Sequence, residues 1–170
     1  GFKLHPYFGY MIWGKTGQNY QQEVDWISGS SMMIKREVVN EIGLLDENYF
    51  FYFEDTDFCL RAKKAGFKLF YEPKAEIIHL GGLSSKAVDK KQLNTYWYKG
   101  KFYTLLKHGT LLQIIVSLLI QALVFFYKAG VKRDGTGFAQ IKGFLWALKN
   151  AKNYEVKTQG EVKPLESVAI

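Results

Sequence analysis

A chain of 170 residues, 48% of them apolar, is long enough for one domain with a real core or for part of a larger one. Its single cysteine, Cys59, excludes an intramolecular disulfide, no secretory signal opens it, and it begins on Gly1 in mid-pattern, so an upstream portion is expected to be missing. Residues 1–85 carry 9 basic against 11 acidic residues and residues 86–170 carry 14 against 5, which suggests a soluble part joined to one that meets an anionic surface, either membrane or nucleic acid.

Residues 1–22 are rich in aromatics and glycine without a sustained period, and read as loop with a short strand. VDWIS (24–28) alternates as a strand does, Gly29-Ser30-Ser31 breaks it, and MMIK (32–35) resumes as strand. REVVNEIG (36–43) sets Val38, Val39 and Ile42 on one face with Gly43 as a cap, which predicts a short helix.

The stretch from Asp46 to Gly66, DENYFFYFEDTDFCLRAKKAG, organises the chain. Five aromatics, Tyr49 to Phe53, precede three acids, Glu54, Asp55 and Asp57. Carboxylates against rings are costly to desolvate, so the cluster needs a reason: a metal, a proton to move, or a helix N-terminus. The plainest is the last. A helix is predicted over Thr56–Ala65, with Phe58, Cys59, Ala62 and Ala65 on one face and Gly66 as its stop. Acids in its first turn would each contribute roughly 0.3–1 kcal/mol through the helix dipole.

FKLFYEP (67–73) reads as a strand ended by Pro73, and AEIIHL (75–80) as another, with His79 near its end and a Gly81-Gly82, Ser84-Ser85 loop after it. Short strands mixed with short helices make this an α/β domain over residues 1–88. The next region, 89–150, is helical. KKQLNTYWYKGKFYTLLKHG (90–109) is aromatic and basic. Residues 111–127 hold no charge and place Gln113, Ser117 and Gln121 on one stripe, which fits a short membrane span, an interfacial helix or a core helix. FAQIKGFLWALK (138–149) is amphipathic, with Phe138, Ile141, Phe144, Leu145 and Leu148 beside Lys142 and Lys149. It suits a membrane interface or an ordinary packed surface. A polar tail, 151–170, is expected to be loose. Nucleic-acid binding is set aside, because the basic charges interleave with a long uncharged run that such a groove does not need.

The run from Val24 to Gly82 resembles the acceptor-side half of family 2 glycosyltransferases, especially rhamnosyltransferase-like enzymes. An ordered set carries the resemblance: the aromatic after Asp25, the Gly29 loop, Lys35-Arg36, Gly-x-x-Asp at 43–46, Tyr52-Phe53-Glu54-Asp55-x-Asp57, Arg61, Gly66, Pro73 and His79. It implies a partial GT-A-like mixed sheet with flanking helices, followed by apolar and amphipathic C-terminal helices. It also implies an inverting transfer of sugar from a nucleotide-sugar donor to a glycan or polyprenyl-linked acceptor at the cytoplasmic face of a membrane. By that resemblance Asp55 is the general base and Glu54 its neighbour that orients base or acceptor. Trp26, Gly29 and Ser30 meet the acceptor, His79 helps hold a divalent Mn or Mg ion, and Asp57 with Arg61 supports the helix at i,i+4 spacing. The family's N-terminal nucleotide-binding half, with its Asp-x-Asp motif, is absent from this sequence. Asp55-Thr56-Asp57 has that spacing but sits at a helix start and is not read as the donor motif. Donor and metal binding are therefore expected to need the upstream half, and the isolated chain is expected to be inactive. The alternative is a non-catalytic, membrane-associated remnant that binds a glycan or partner.

Overall fold

A computed structural model describes residues 2–4, 11–13, 19–80, 82–128 and 136–151. Ten elements follow in chain order: β1 (Phe2–Leu4), β2 (Met11–Trp13), β3 (Gln22–Val24), α1 (Arg36–Ile42), α2 (Glu54–Lys64), β4 (Leu69–Tyr71), α3 (Leu83–Lys86), α4 (Lys90–His108), α5 (Leu111–Tyr127) and α6 (Thr136–Asn150). The class is α/β. The strands form two antiparallel ribbons, β1 with β2, and β3 with β4 in the register Gln22↔Tyr71 and Val24↔Leu69. No parallel pairing, and so no mixed sheet, is formed among the described residues.

Two apolar clusters hold these elements. In the first, Val24, Trp26 and Leu69 from the β3–β4 ribbon meet Cys59 and Ala62 of α2, with Val38 and Ile42 of α1 packed at the side. In the second, Tyr49 meets Tyr98, Phe102, Tyr103 and Leu105 of α4, and α6 contributes Ala139 and Ala147. Helix α2 lies between the two, so its acids sit where ribbon and helical layer join. α4 packs most extensively against α6 and also touches α2 and α5.

Local chemistry explains most boundaries. Gly43 ends α1 at φ 77°, a left-handed value that disfavours other residues, and its N–H bonds the Val39 carbonyl. Asp89 caps α4 by accepting from the N–H groups of Lys91 and Gln92, and Thr110 with Gln113 forms a reciprocal cap on α5. Helix α2 begins two residues earlier than the pattern predicted, at Glu54, because the chain enters it through a left-handed turn at Tyr52 and Phe53.

The strand expected at 24–28 is shifted to Gln22–Val24, and two further expected strands do not form. Residues 32–35 run as irregular chain with Met33 and Ile34 exposed, and 75–80 are likewise irregular, with Ile77, Ile78 and Leu80 exposed. Both have strand-like composition, but among the described residues neither lies beside a strand that pairs with it. The expected loop after His79 contains instead the single turn α3. Among the described residues no helix is long and apolar enough to cross a membrane. The tail beyond residue 151, and residues 129–135, lie outside the described residues.

Candidate active site

The first helical turn of α2 carries the acids, and the turn before it aims them. Tyr52 and Phe53 sit at φ 69° and 70°. Bulky side chains there cost on the order of 1–2 kcal/mol each, so the surroundings must impose the conformation. Helix α4 does so. Trp97 meets both rings edge-on, 5.5 Å from Tyr52 and 5.0 Å from Phe53. At Gly100 the turn lies against the helix backbone, where an added Cβ would be 2.9 Å from the Phe53 ring and 3.0 Å from the Tyr52 carbonyl oxygen. The aromatic wall is thus a clasp between two layers.

Asp55 emerges half-buried from that turn. Its Oδ2 accepts from the Gly29 N–H at 2.9 Å, across 26 residues of chain. Its Oδ1 accepts from the Thr56 N–H at 2.6 Å and the Thr56 hydroxyl at 3.2 Å. Gly29 packs directly on the acid, since a Cβ built there would lie 3.5 Å from the Asp55 Cβ. Ser28 caps the short 3-10 turn Gly29–Ser31, and its hydroxyl lies 3.0 Å from that of Ser30. Asp55, Gly29 and Ser30, which the sequence separates, thus share one place, with the Ser30 side exposed.

Glu54 is half-buried, and burial, with the Asp55 charge adding to it, holds its carboxyl above the usual range. Its Oε2 is buried and has no hydrogen-bond partner among the described residues. A buried acceptor left open beside a positioned carboxylate is a place for a ligand's donor.

Asp57 faces the other way. It is fully buried, with Arg61 Nε at 2.8 Å, Lys107 Nζ at 2.5 Å and His108 Nε2 at 2.7 Å. Burial opposes its charge, but hydrogen bonds from His108, Lys107 and Arg61 outweigh that and pull its pKa down to about 2. Arg61 also donates to the Ile42 and Leu44 carbonyls, tying α2 to the end of α1. Lys107 reaches Asp46 at 2.9 Å, and the hydroxyl of Tyr103 bonds the same carboxylate at 3.0 Å. Asp57 and Arg61 therefore support the site from behind. Lys107, His108, Asp46, Tyr49 and Tyr103 belong to this cluster, and sequence reasoning missed that. Only the i,i+4 pair leaves a local signature.

Trp26, expected to meet the acceptor, is buried in the core with Val24, Cys59, Ala62 and Leu69. His79 lies in the exposed segment 75–80. The described residues contain no group of three or more His, Cys, Asp or Glu side chains arranged to hold a metal ion. The described residues do not by themselves fit a divalent cation.

Residues 14–100 match the model of the family described as "Glycosyltransferase like family 2". An N-acetylglucosaminyl-diphospho-decaprenol L-rhamnosyltransferase of Mycobacterium tuberculosis is 41% identical over 59 residues, 35% of this chain and 19% of that protein. The rhamnosyltransferase WbbL of Escherichia coli is 41% identical over 56 residues, 33% of this chain and 21% of that protein. A low-salt glycan biosynthesis hexosyltransferase of Haloferax volcanii is 46% identical over 41 residues, 24% and 13% of the two chains. The matched stretch spans about a fifth of the length of the two rhamnosyltransferases. No solved structure matches the chain. With half of its length matched by the family model, and the Asp55 site inside that half, the chain belongs to glycosyltransferase family 2.

Proposed function

We propose that this chain is the acceptor-side part of an inverting glycosyltransferase, with Asp55 as general base. One observation carries the reading: the hydrogen bond from the Gly29 N–H to Asp55 Oδ2, which fixes a half-buried carboxylate against an exposed serine-bearing loop. The three donors hold the Asp55 carboxylate in place and leave an acceptor site open on Oδ2. The acceptor hydroxyl gives its proton to Asp55 as its oxygen bonds to the anomeric carbon. The bond from that carbon to the nucleoside diphosphate breaks on the opposite face and its electron pair leaves with the diphosphate, so configuration inverts. Glu54, with an oxygen free to accept, orients an acceptor hydroxyl, and the Gly29–Ser31 loop borders the acceptor.

The donor nucleotide sugar, and any Mn or Mg ion with it, is assigned to residues outside this chain; His79 alone is not enough to hold that ion. A glycan or lipid-linked acceptor is the substrate class, as the decaprenol-linked substrate in the name of the mycobacterial relative suggests. The cytoplasmic face of a membrane is the location proposed with that substrate class. The second reading is a binding remnant without turnover.

Asp55→Asn in the full-length protein decides between them. It should lower kcat by roughly 10²–10⁴-fold, as loss of a general base does, with the KM for donor nearly unchanged. Near-normal turnover on a natural acceptor would reduce Asp55 to a helix cap. A wild-type protein that binds acceptor but never turns over would establish the remnant.

A further inference from the structure

Helices α5 and α6 wear their residues inside out. In α5 the fully buried residues are polar, Ser117 at 2% and Gln121 at 4% exposure, with Ile114 and Leu118 half-buried beside them, while Leu111 and Leu123 stand 74% and 71% exposed. Ile115, Leu119 and Phe126 fall on the same outward stripe, at helical spacing of three and four. In α6 the fully buried residues are Gly137, Ala139, Gln140, Gly143 and Ala147, with Phe144 and Trp146 half-buried against α4, while Phe138, Ile141, Leu145 and Leu148 face out. The two helices meet through a polar bond, Gln140 Nε2 donating to the Gln121 carbonyl at 2.8 Å. A helix in water does the reverse, burying its apolar stripe and exposing its polar one.

We infer that the outward faces of α5 and α6 are a docking surface for an anionic lipid bilayer, lying in its interface. Charge selects that occupant over a second copy of this chain. Residues 90–151 contain ten Lys or Arg and one acid, Asp134, and Lys142 and Lys149 are exposed on α6 itself. A second copy would bring the same lysines and almost no acids to this face, whereas an anionic lipid surface supplies opposite charge along its whole extent. Length selects the interface over a span. α5 has 17 residues, or about 25 Å, short of the roughly 30 Å hydrocarbon core. Both helices lie outside the stretch matched by the family, so the surface belongs to this chain rather than to the family's shared domain.

Sedimentation of the full-length protein with vesicles tests this with no sugar present, so it stands or falls separately from the transferase reading. The protein should pellet with vesicles rich in phosphatidylglycerol and less with phosphatidylcholine alone. The pair Leu119→Asn and Leu123→Asn, both at exposed positions, should weaken binding to either vesicle by about a hundredfold, and circular dichroism should show its helices kept. Lys142→Gln with Lys149→Gln should weaken binding only to the anionic vesicles, by about tenfold at low salt. Wild-type protein left in the supernatant with both vesicles would overturn the inference. So would asparagine variants that bind as well as wild type, or a lipid-free dimer that the same substitutions dissociate.

Discussion

Asp55 and Asp57 are two residues apart and do opposite work. The first is held by main-chain donors beside an exposed loop, and the second is sealed among Arg61, Lys107 and His108. Removing Asp57 leaves three cationic or hydrogen-bonding groups without their shared acceptor in a buried place. Asp57→Ala should therefore cost about 3–5 kcal/mol in urea unfolding, the range for breaking a buried pair by removing one partner. Asp55→Asn should leave the unfolding midpoint nearly unchanged. A loss of under about 1 kcal/mol for Asp57→Ala would mean that the cluster is solvated rather than sealed. The difference between the two was only half legible in the sequence. The order of motifs singled out Asp55, Glu54 and Gly29, and helical spacing paired Asp57 with Arg61. Lys107 and His108 stand 50 and 51 positions away from Asp57, where no local pattern reports them.

At the scale of elements, the longer helices were legible and the strands only in part: 67–73 holds β4, whereas α3 formed where a loop was expected. The apolar period of α1, α2 and α6, and the uncharged run of α5, follow from side chains on one continuous segment, which a sequence displays directly. A strand depends on a neighbour, and residues 32–35 and 75–80 have strand-like composition without one. The clasp between α2 and α4 was equally invisible, since it needs Trp97 and Gly100 to arrive beside Tyr52 and Phe53. It makes a prediction opposite in sign to the usual one. A mid-helix Gly→Ala change ordinarily stabilises by up to about 1 kcal/mol. At Gly100 the new methyl meets the Phe53 ring and the Tyr52 carbonyl closer than any real Cβ contact allows or at its limit. Gly100→Ala should therefore destabilise by about 1–3 kcal/mol, read as a lower Tm. In the full-length enzyme it should also lower kcat without raising the KM for donor, because the displaced turn carries Glu54 and Asp55. A raised Tm would mean that the turn is not held by α4.

Across the whole molecule, one buried charge cluster joins the ribbon layer to the helical layer. Asp46 and Asp57 precede and open α2, and Lys107 and His108 close α4. Both acids have folded pKa values below their ordinary ones. Burial resists ionisation of Asp46, but the Asn48 N–H and then Lys107 hold it down, while Asp57 stands at about 2. A folded value below the unfolded one means that the unfolded chain takes up protons first as pH falls. The stability these acids contribute is thus complete above about pH 5 and is lost as pH falls from 4 towards 2. The Asp57 shift alone amounts to about 2 kcal/mol. Glu54 opposes this weakly, since burial raises its folded value and its protonation relieves the fold. The urea midpoint should be level above about pH 5 and fall steeply below pH 4, and Asp57→Asn should flatten that acid limb. A wild-type midpoint unmoved across the window would mean that Asp57 is not charged in the folded chain, and the join between the layers would then be apolar packing alone.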